Sequence, residues 1–264
     1  MTAPPRIRVP VLMYHEIADV SETDNRLAVS PAAFAAQLGY LRAAGFGAMT
    51  AAELWAALAG RSGPRLDRPV VLTFDDGYAD FHSRALPLLQ RHGFTATLFV
   101  TTGWTQDADM RSAASGRMLD WGQITEAATA GVEIAAHTRR HPALDQLPRQ
   151  LVREELCTSK QWLEEKLGLP VPGLAYPFGY SSAGVRGQAR EAGYGYACAV
   201  DNRTAGPASD LFELPRLTVR RATTMTSFRR LVDGRTTAGL LEDRALSSGW
   251  AGVRRVKALL SAGG

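Results

Sequence analysis

Pro69-Val70-Val71-Leu72-Thr73-Phe74-Asp75-Asp76-Gly77 is an apolar run that ends in two adjacent carboxylates and a glycine. An apolar run of this length predicts a buried strand. Neighbouring residues of a strand point to opposite faces, so both acids can serve one site only if the chain turns there, as Gly77 permits. Two carboxylates this close repel each other, and the simplest arrangement gives one to a metal ion and leaves the other as a base. An acidic cap at a strand-to-helix turn is the alternative.

Strand-like and helix-like segments alternate along the whole chain, and no tight hairpin signal joins consecutive strands. Two helices have clear start signals, Ser30-Pro31 and Thr50. This alternation predicts an α/β fold of parallel βαβ units. Roughly seven strand–helix pairs favour a distorted parallel (β/α) barrel, a TIM-like barrel, although alternation alone does not exclude an open sheet. We expect a single domain over residues 1–264, with a core at about 9–220 and a C-terminal helical extension at 221–264.

The residues with useful chemistry follow directly after predicted strands. In parallel α/β folds, active groups lie at the carboxyl ends of the strands. The residues in that position here are His15, Asp75, Asp76, His137 and Phe178-Gly179. We therefore expect one site that is assembled from distant parts of the chain.

Composition limits the classes of function. The 264 residues are 45% hydrophobic and 21% charged, which is ordinary for a globular protein with a sizeable core. The net charge of +4 comes without a long basic block, so no nucleic-acid partner is expected. Cys157 and Cys198 fall in a helical and a strand-like pattern, which favours two buried thiols over a disulfide.

The N-terminal residues contain no apolar segment of signal-peptide length, and no segment approaches the length of a membrane span. The sequence as written therefore predicts a cytoplasmic protein. The last 40 residues carry many arginines, among them Arg229, Arg230, Arg254 and Arg255. Such residues could contact an acidic glycan, a phosphosugar or a membrane surface, but a solvated helix face is the preferred interpretation.

His137 and His141 are four residues apart, directly after a predicted strand. One helical turn with that spacing would bring both rings to the same face. Two histidines and a carboxylate form a common catalytic zinc set, and we propose Asp76, His137 and His141 as the ligands. The alternative makes His141-Pro142 a surface turn and His137 a core histidine.

Three motifs in this order resemble the principal motifs of the polysaccharide deacetylase superfamily, also called the NodB-homology group or carbohydrate esterase family four. These motifs are Thr73-Phe74-Asp75-Asp76-Gly77, His137-Thr138-Arg139-Arg140-His141 and Ala175-Tyr176-Pro177-Phe178-Gly179. The resemblance covers roughly residues 9–220 and includes Val11-Leu12-Met13-Tyr14-His15-Glu16-Ile17. It implies a distorted (β/α) barrel and metal-dependent removal of N- or O-acetyl groups from glycans.

The resemblance also implies roles for single residues. Asp75 is the general base, and Asp76, His137 and His141 bind a divalent metal, with zinc expected and cobalt or nickel also accepting this ligand set. The metal activates a water and polarises the acetyl carbonyl, while Asp75 takes the proton from that water.

The turn formed by Tyr176, Pro177, Phe178 and Gly179 is expected to contact the substrate and to stabilise the oxyanion through a backbone N–H. Tyr176 and Phe178 can wall an acetyl pocket. Both rings could equally be core aromatics beside a proline turn, and that alternative is preferred for one of the two.

The sequence departs from the family pattern in two places. The third motif lacks its usual arginine, and no histidine follows His141. His15 is the best candidate for the acid that protonates the leaving amine, an arrangement similar to that of the circularly permuted poly-N-acetylglucosamine deacetylases. Alternatively, His15 holds the loop that follows it. Arg216 could replace the missing arginine by pairing with Asp75, or it could be a surface residue, and the sequence does not separate these two possibilities.

We therefore expect a metal-dependent N-deacetylase acting on an N-acetylated sugar or glycan, whose oligomeric state the sequence does not determine. Two alternatives remain, a hydrolase of a small non-glycan amide and a catalytically silent glycan-binding module. A long groove lined by aromatics such as Trp104 and Trp121 would favour a polymer, whereas a closed pocket would favour a small amide. Loss of an acid or a metal ligand would indicate the silent module, but all four residues are present.

Overall fold

The computed structural model of the protein describes residues 8–61, 63–64, 66–106 and 116–234. The strands in these ranges are β1 (Val11–Tyr14), β2 (Gly47–Met49), β3 (Pro69–Phe74), β4 (Thr97–Val100), β5 (Glu133–Ala136), β6 (Gly173–Ala175), β7 (Tyr196–Cys198) and β8 (Leu217–Thr218). The α-helices are α1 (Pro31–Ala43), α2 (Ala51–Leu58), α3 (Leu86–His92), α4 (Trp121–Thr129), α5 (Arg149–Leu167), α6 (Ala183–Glu191) and α7 (Met225–Val232). A π-helical turn, Phe81–Ala85, precedes α3.

All paired strands run parallel, in the order β7-β6-β5-β4-β3-β1-β8, and β2 pairs with the first half of β3. A parallel bridge between Cys198 and Leu214 connects the β7 end of the sheet to the segment that leads into β8. The sheet is therefore curled into a half-barrel with helices packed around it. This confirms the predicted distorted parallel (β/α) architecture, with seven strands on the main path and β2 beside it.

The alternation of residues along β3 determines where its acids point. Val70, Leu72 and Phe74 pack with apolar residues of the surrounding helices. Val71 belongs to a second cluster, to which α2 and every other strand except β8 contribute. Because a strand has a period of two, Thr73 and Asp75 share the face of Val71. Asp75 therefore faces the interior of the curled sheet.

Helix starts form where their capping residues predict them. The Ser30 hydroxyl accepts a hydrogen bond from the Ala33 amide at 3.2 Å, and Pro31 is the first residue of α1. Thr50 and Glu53 form a reciprocal capping box at α2. These caps satisfy backbone N–H groups that have no partner inside the helix.

The structure confirms the expectations for the two cysteines and for the C-terminal extension only in part. Cys198 is buried but Cys157 is only partly so, because its position on α5 is not fully covered, and both thiols are free. Of the expected C-terminal extension, α7 is present, and residues 235–264 lie outside the described residues. In the part of the chain that the structure describes, no helix combines the length and apolar character needed to cross a membrane.

Candidate functional site

A cavity of about 570 Å³ opens at the carboxyl ends of the strands. It is lined by the acids after β3, by both motif histidines and by His15. Asp24, Asn25 and Leu27 line it as well, although no motif in the sequence indicated that their loop belongs to the site. The structure thus brings residues from distant segments of the chain into one site, and those that follow strands lie where the strand-end rule predicts.

Asp75 and Asp76 reach the cavity together because the chain reverses at Asp76. Asp76 has φ +76°, and the Gly77 amide donates a hydrogen bond to the Asp75 carbonyl two residues back at 3.0 Å. This combination is a γ-turn of the strained, positive-φ kind. Gly77 follows with φ +93°. The predicted turn is present, but a non-glycine residue carries its most strained position, as is common at functional sites.

The loop from His137 to His141 is not a helical turn, so the basis of that expectation was wrong. Thr138 and His141 have φ values of +66° and +62°, and the Thr138 hydroxyl accepts a hydrogen bond from the His141 amide at 3.0 Å. The two imidazole rings nevertheless meet, with centroids 4.8 Å apart. A bent loop with two left-handed residues produces the convergence that a helix was expected to give.

Asp76, His137 and His141 present three ligand atoms that all lie within 4.8 Å of one another. Oδ1 of Asp76 is 3.4 Å from Nε2 of His137 and 3.3 Å from Nε2 of His141. Ligand atoms held ~2.0–2.1 Å from a tetrahedral zinc ion are ~3.3–3.4 Å apart. Oδ1 of Asp76 is also buried without a hydrogen-bond partner among the described residues. These observations fit a divalent metal site.

The tautomer of His137 is compatible with metal binding. Its Nδ1 lies 2.8 Å from the Ala175 carbonyl oxygen, to which a protonated Nδ1 donates. Such a hydrogen bond directs the lone pair of Nε2 toward a metal. Burial alone would raise the pKa of Asp76. His137 and His15 lower it by more than burial raises it, so the pKa is well below the ordinary value. Burial and the neighbouring His137 lower the pKa of His141 to about 4.

Asp75 is paired with Arg216 and is not one of the three candidate metal ligands. Nη1 and Nη2 of Arg216 donate to the two carboxylate oxygens of Asp75 at 2.6 and 2.8 Å. Nε of Arg216 donates to the Ala199 carbonyl at 3.1 Å, and the arginine is fully buried. Burial raises the pKa of Asp75, but Arg216 and His137 outweigh it and leave the pKa below the ordinary value. Of the two possibilities for Arg216, the structure therefore has the buried pair.

His15 lies at the end of β1 and lines the cavity. Its Nδ1 is buried and has no hydrogen-bond partner in the described part of the chain. The loop that follows is held by other groups: Asp80 accepts from the Ile17 amide at 2.7 Å, and Glu16 accepts from the Thr23 hydroxyl at 2.9 Å. Among the described residues, no polar group therefore holds the Nδ1 of His15. Burial lowers its pKa, and the carboxylates of Asp76 and Asp75 partly oppose this effect.

The two aromatics of the third motif have different environments. Tyr176 is fully buried, and its hydroxyl donates to the Phe212 carbonyl at 3.0 Å. Phe178 has φ +60°, is 57% exposed and contacts His141 with ring centroids 4.8 Å apart. At Gly179, with φ +75°, a Cβ atom would lie 2.5 Å from Val200. Phe178 therefore forms a wall of the cavity, and Tyr176 belongs to the core.

The tryptophans named as possible groove residues do not line this cavity. Trp104 is buried and packs on the His141 ring, with centroids 5.0 Å apart. Trp121 begins α4 and packs against the core. In the described residues, the aromatic surface at the cavity comes instead from Tyr78 and Phe178.

The chain is similar to proteins that are named as deacetylases. It is 26% identical over 226 residues, 86% of this chain and 76% of the relative, to the Bacillus subtilis (strain 168) protein "Putative polysaccharide deacetylase YxkH". It is 30% identical over 135 residues to the Escherichia coli (strain K12) poly-beta-1,6-N-acetyl-D-glucosamine N-deacetylase. That match covers 48% of this chain but only 20% of the relative.

A solved structure with a similar fold is the Streptococcus pyogenes deacetylase PplD in complex with acetate. The two chains are 29% identical with a TM-score of 0.77, and the match covers 88% of this chain and 100% of PplD. The polysaccharide deacetylase family model matches residues 62–197, a span that contains both strand-end acids and both motif histidines. His15 and Arg216 lie outside that span. With this match over half of its length, the chain belongs to the polysaccharide deacetylase family.

Proposed function

We propose that this protein is a metal-dependent deacetylase that hydrolyses the N-acetyl group of an N-acetylated sugar or glycan. The observation that carries the proposal is the convergence of the Asp76, His137 and His141 ligand atoms in one cavity, beside a separate carboxylate, Asp75. Hydrolysis of an amide needs an activated water, a base and an acid, and the cavity offers a candidate group for each.

Asp76, His137 and His141 would hold the metal, for which we expect zinc, with cobalt and nickel as alternatives. When bound, the ion supplies a water of lowered pKa and polarises the acyl carbonyl. Asp75 accepts the proton of the attacking water. Its bidentate pair with Arg216 supports this role, because it keeps the carboxylate ionised and aims it from outside the ligand set.

The acid and the oxyanion donor come from two further segments. His15 would give a proton to the leaving amine, and two observations support this role: the residue lines the cavity, and its Nδ1 has no hydrogen-bond partner among the described residues. In the third motif, the Tyr176 amide donates to Cys198 and the Gly179 amide donates to Tyr176, while Pro177 has no N–H. The Phe178 amide is therefore our candidate donor to the developing oxyanion.

A sugar substrate is supported by the surroundings of the cavity. The exposed Phe178 ring stacks with Tyr180 at a centroid distance of 6.3 Å, which offers an apolar face at the cavity mouth. The Escherichia coli relative is named for poly-β-1,6-N-acetylglucosamine, a polymer of such sugars. The second candidate, hydrolysis of a small non-glycan amide, is favoured by one observation: neither Trp104 nor Trp121 lines the cavity.

Acetate release from N-acetylglucosamine oligomers of increasing length tests the proposal. The protein is treated with a chelator and assayed with and without added zinc, cobalt or nickel. Release that the metal restores and that grows with oligomer length is the expected result. No release at any length, from protein shown to hold metal, would favour the small amide.

Replacing His15 by alanine should slow amide hydrolysis more than hydrolysis of an activated acetate ester, because an activated leaving group needs no proton. General acid catalysis contributes ~10²–10⁴-fold, and a loss in this range is expected for the amide alone. His82→Ala is the matched control. His82 does not line the cavity, and its Nε2 lies 2.7 Å from Oε2 of Glu126. Equal losses on both substrates would contradict the acid role of His15.

A further inference from the structure

The loop between the two motif histidines is held by a glutamate from α5. Oε2 of Glu155 accepts hydrogen bonds from the backbone amides of Arg139 and Arg140, at 2.9 and 2.7 Å. Its other oxygen lies 3.5 Å from Nε of Arg140. Glu155 is only 4% exposed. A buried carboxylate thus binds the main chain of the two residues that lie midway between His137 and His141.

This loop needs such support because its conformation is strained. Thr138 and His141 both have positive φ values, which cost free energy in non-glycine residues and persist only when the surroundings enforce them. Backbone contacts with the segment after β4 supply part of the restraint, since the Thr102 and Gly103 amides donate to the Thr138 and Arg139 carbonyls. Successive amides that point to one side form an anion-binding concavity, which Glu155 fills.

The preceding residue, Glu154, is an exposed acid near the same loop and serves as a comparison for Glu155. Glu154 is half-exposed and pairs with the side chains of Arg139 and Arg140, at 3.0 and 2.6 Å. Exposed pairs of this kind contribute little. Glu155 is buried instead, which raises its pKa, and the amides of Arg140 and Arg139 only partly offset this effect. The hydrogen bonds from the loop amides therefore offset part of the free-energy cost of burying the Glu155 carboxylate.

We infer that Glu155 is a positioning residue of the metal centre, whose carboxylate holds the 139–140 main chain so that the rings of His137 and His141 converge on Asp76. The inference rests on the proposed function, because it assumes that these three residues bind a metal. Glu155 itself is not one of the three candidate ligands and does not line the cavity.

The test is the zinc affinity of the 264-residue chain, measured by competition with a chromogenic chelator. Groups that orient metal ligands typically change affinity by ~10–100-fold when removed, and Glu155→Ala is expected to weaken zinc binding to this extent. Glu155→Gln should restore most of the affinity, because an amide oxygen can accept both hydrogen bonds. Glu154→Ala, the matched change one residue away, should bind zinc as the wild type does. His141→Ala, which removes a proposed ligand, shows how much zinc affinity is lost with a ligand itself.

The absorption spectrum of the cobalt-loaded protein separates positioning from general stability. A purely structural role would lower the unfolding midpoint of Glu155→Ala and leave its zinc affinity and cobalt spectrum unchanged, and that result would overturn the inference. If Glu155→Ala does not fold, Glu155→Asp decides, because its shorter side chain cannot reach both amides: wild-type affinity overturns the inference, and weaker binding supports it. A wild type that binds no zinc would instead overturn the proposed metal site itself.

Discussion

Replacing Asp75 by asparagine is expected to lower the rate of acetate release by ~10²–10⁴-fold while the protein keeps its metal. Asparagine has nearly the shape of aspartate but cannot accept a proton. Asp75 lies outside the cluster of Asp76, His137 and His141, so its charge is not needed to complete the ligand set. Steady-state acetate release and elemental analysis of the same samples measure the two properties.

Asp76→Asn is the control that separates the two neighbouring acids. Oδ1 of Asp76 lies 3.4 and 3.3 Å from the Nε2 atoms of His137 and His141, so this variant should lose both activity and metal. Near-normal turnover in Asp75→Asn would refute the assignment of the base. Loss of metal from Asp75→Asn would show that the two acids are not divided between base and ligand as proposed.

The position of Asp75 could be predicted from the sequence because it depends on local rules. The apolar run 69–74 coincides with β3, and the period of two places Asp75 on the inner face. The parallel architecture then brings strand-end residues together, whatever their separation in sequence. Local pattern and topology therefore sufficed to predict that Asp76, His137 and His141 would lie together at the ends of the strands.

The shape of the histidine loop could not be predicted in this way. The spacing of His137 and His141 suggests a helical turn, but the backbone of Thr138 is left-handed. The loop is hydrogen-bonded to partners outside it, Glu155 and the Thr102–Gly103 backbone. Nothing in the five residues of the loop indicates these contacts.

The pairing of Arg216 with Asp75 is a second contact that the sequence could not predict, and it joins residues that are farther apart. The two residues are 141 positions apart, and the segment of Arg216 reaches Asp75 only because it runs between β7 and β1. The sequence indicated that an arginine was missing from the third motif. It could not indicate whether Arg216 was buried, since burial follows from the curvature of the sheet.

Replacing Arg216 by methionine should destabilise the protein by ~3–5 kcal/mol, because it leaves the buried Asp75 carboxylate without its partner. Arg216 is fully buried and Asp75 is 3% exposed, so water cannot readily replace the lost contacts. The variant should also lose activity, since the pKa of Asp75 rises once the guanidinium is gone. Urea unfolding at matched metal content measures the loss of stability, and acetate release across pH measures the loss of base.

A double-mutant cycle with Asp75→Asn distinguishes an unpaired charge from a simple packing defect. If the stability cost of Arg216→Met comes from the uncompensated carboxylate, the double variant should be more stable than the sum of the two single losses predicts, because no buried charge remains in it. Arg186→Met is the control, since Arg186 is a partly exposed arginine that pairs with Glu213 at 3.1 Å, and its loss should cost ~1 kcal/mol or less. Additive losses for Asp75 and Arg216 would mean that the bidentate pair does not hold the carboxylate charged, and Asp75 would then need another explanation for its role as the base.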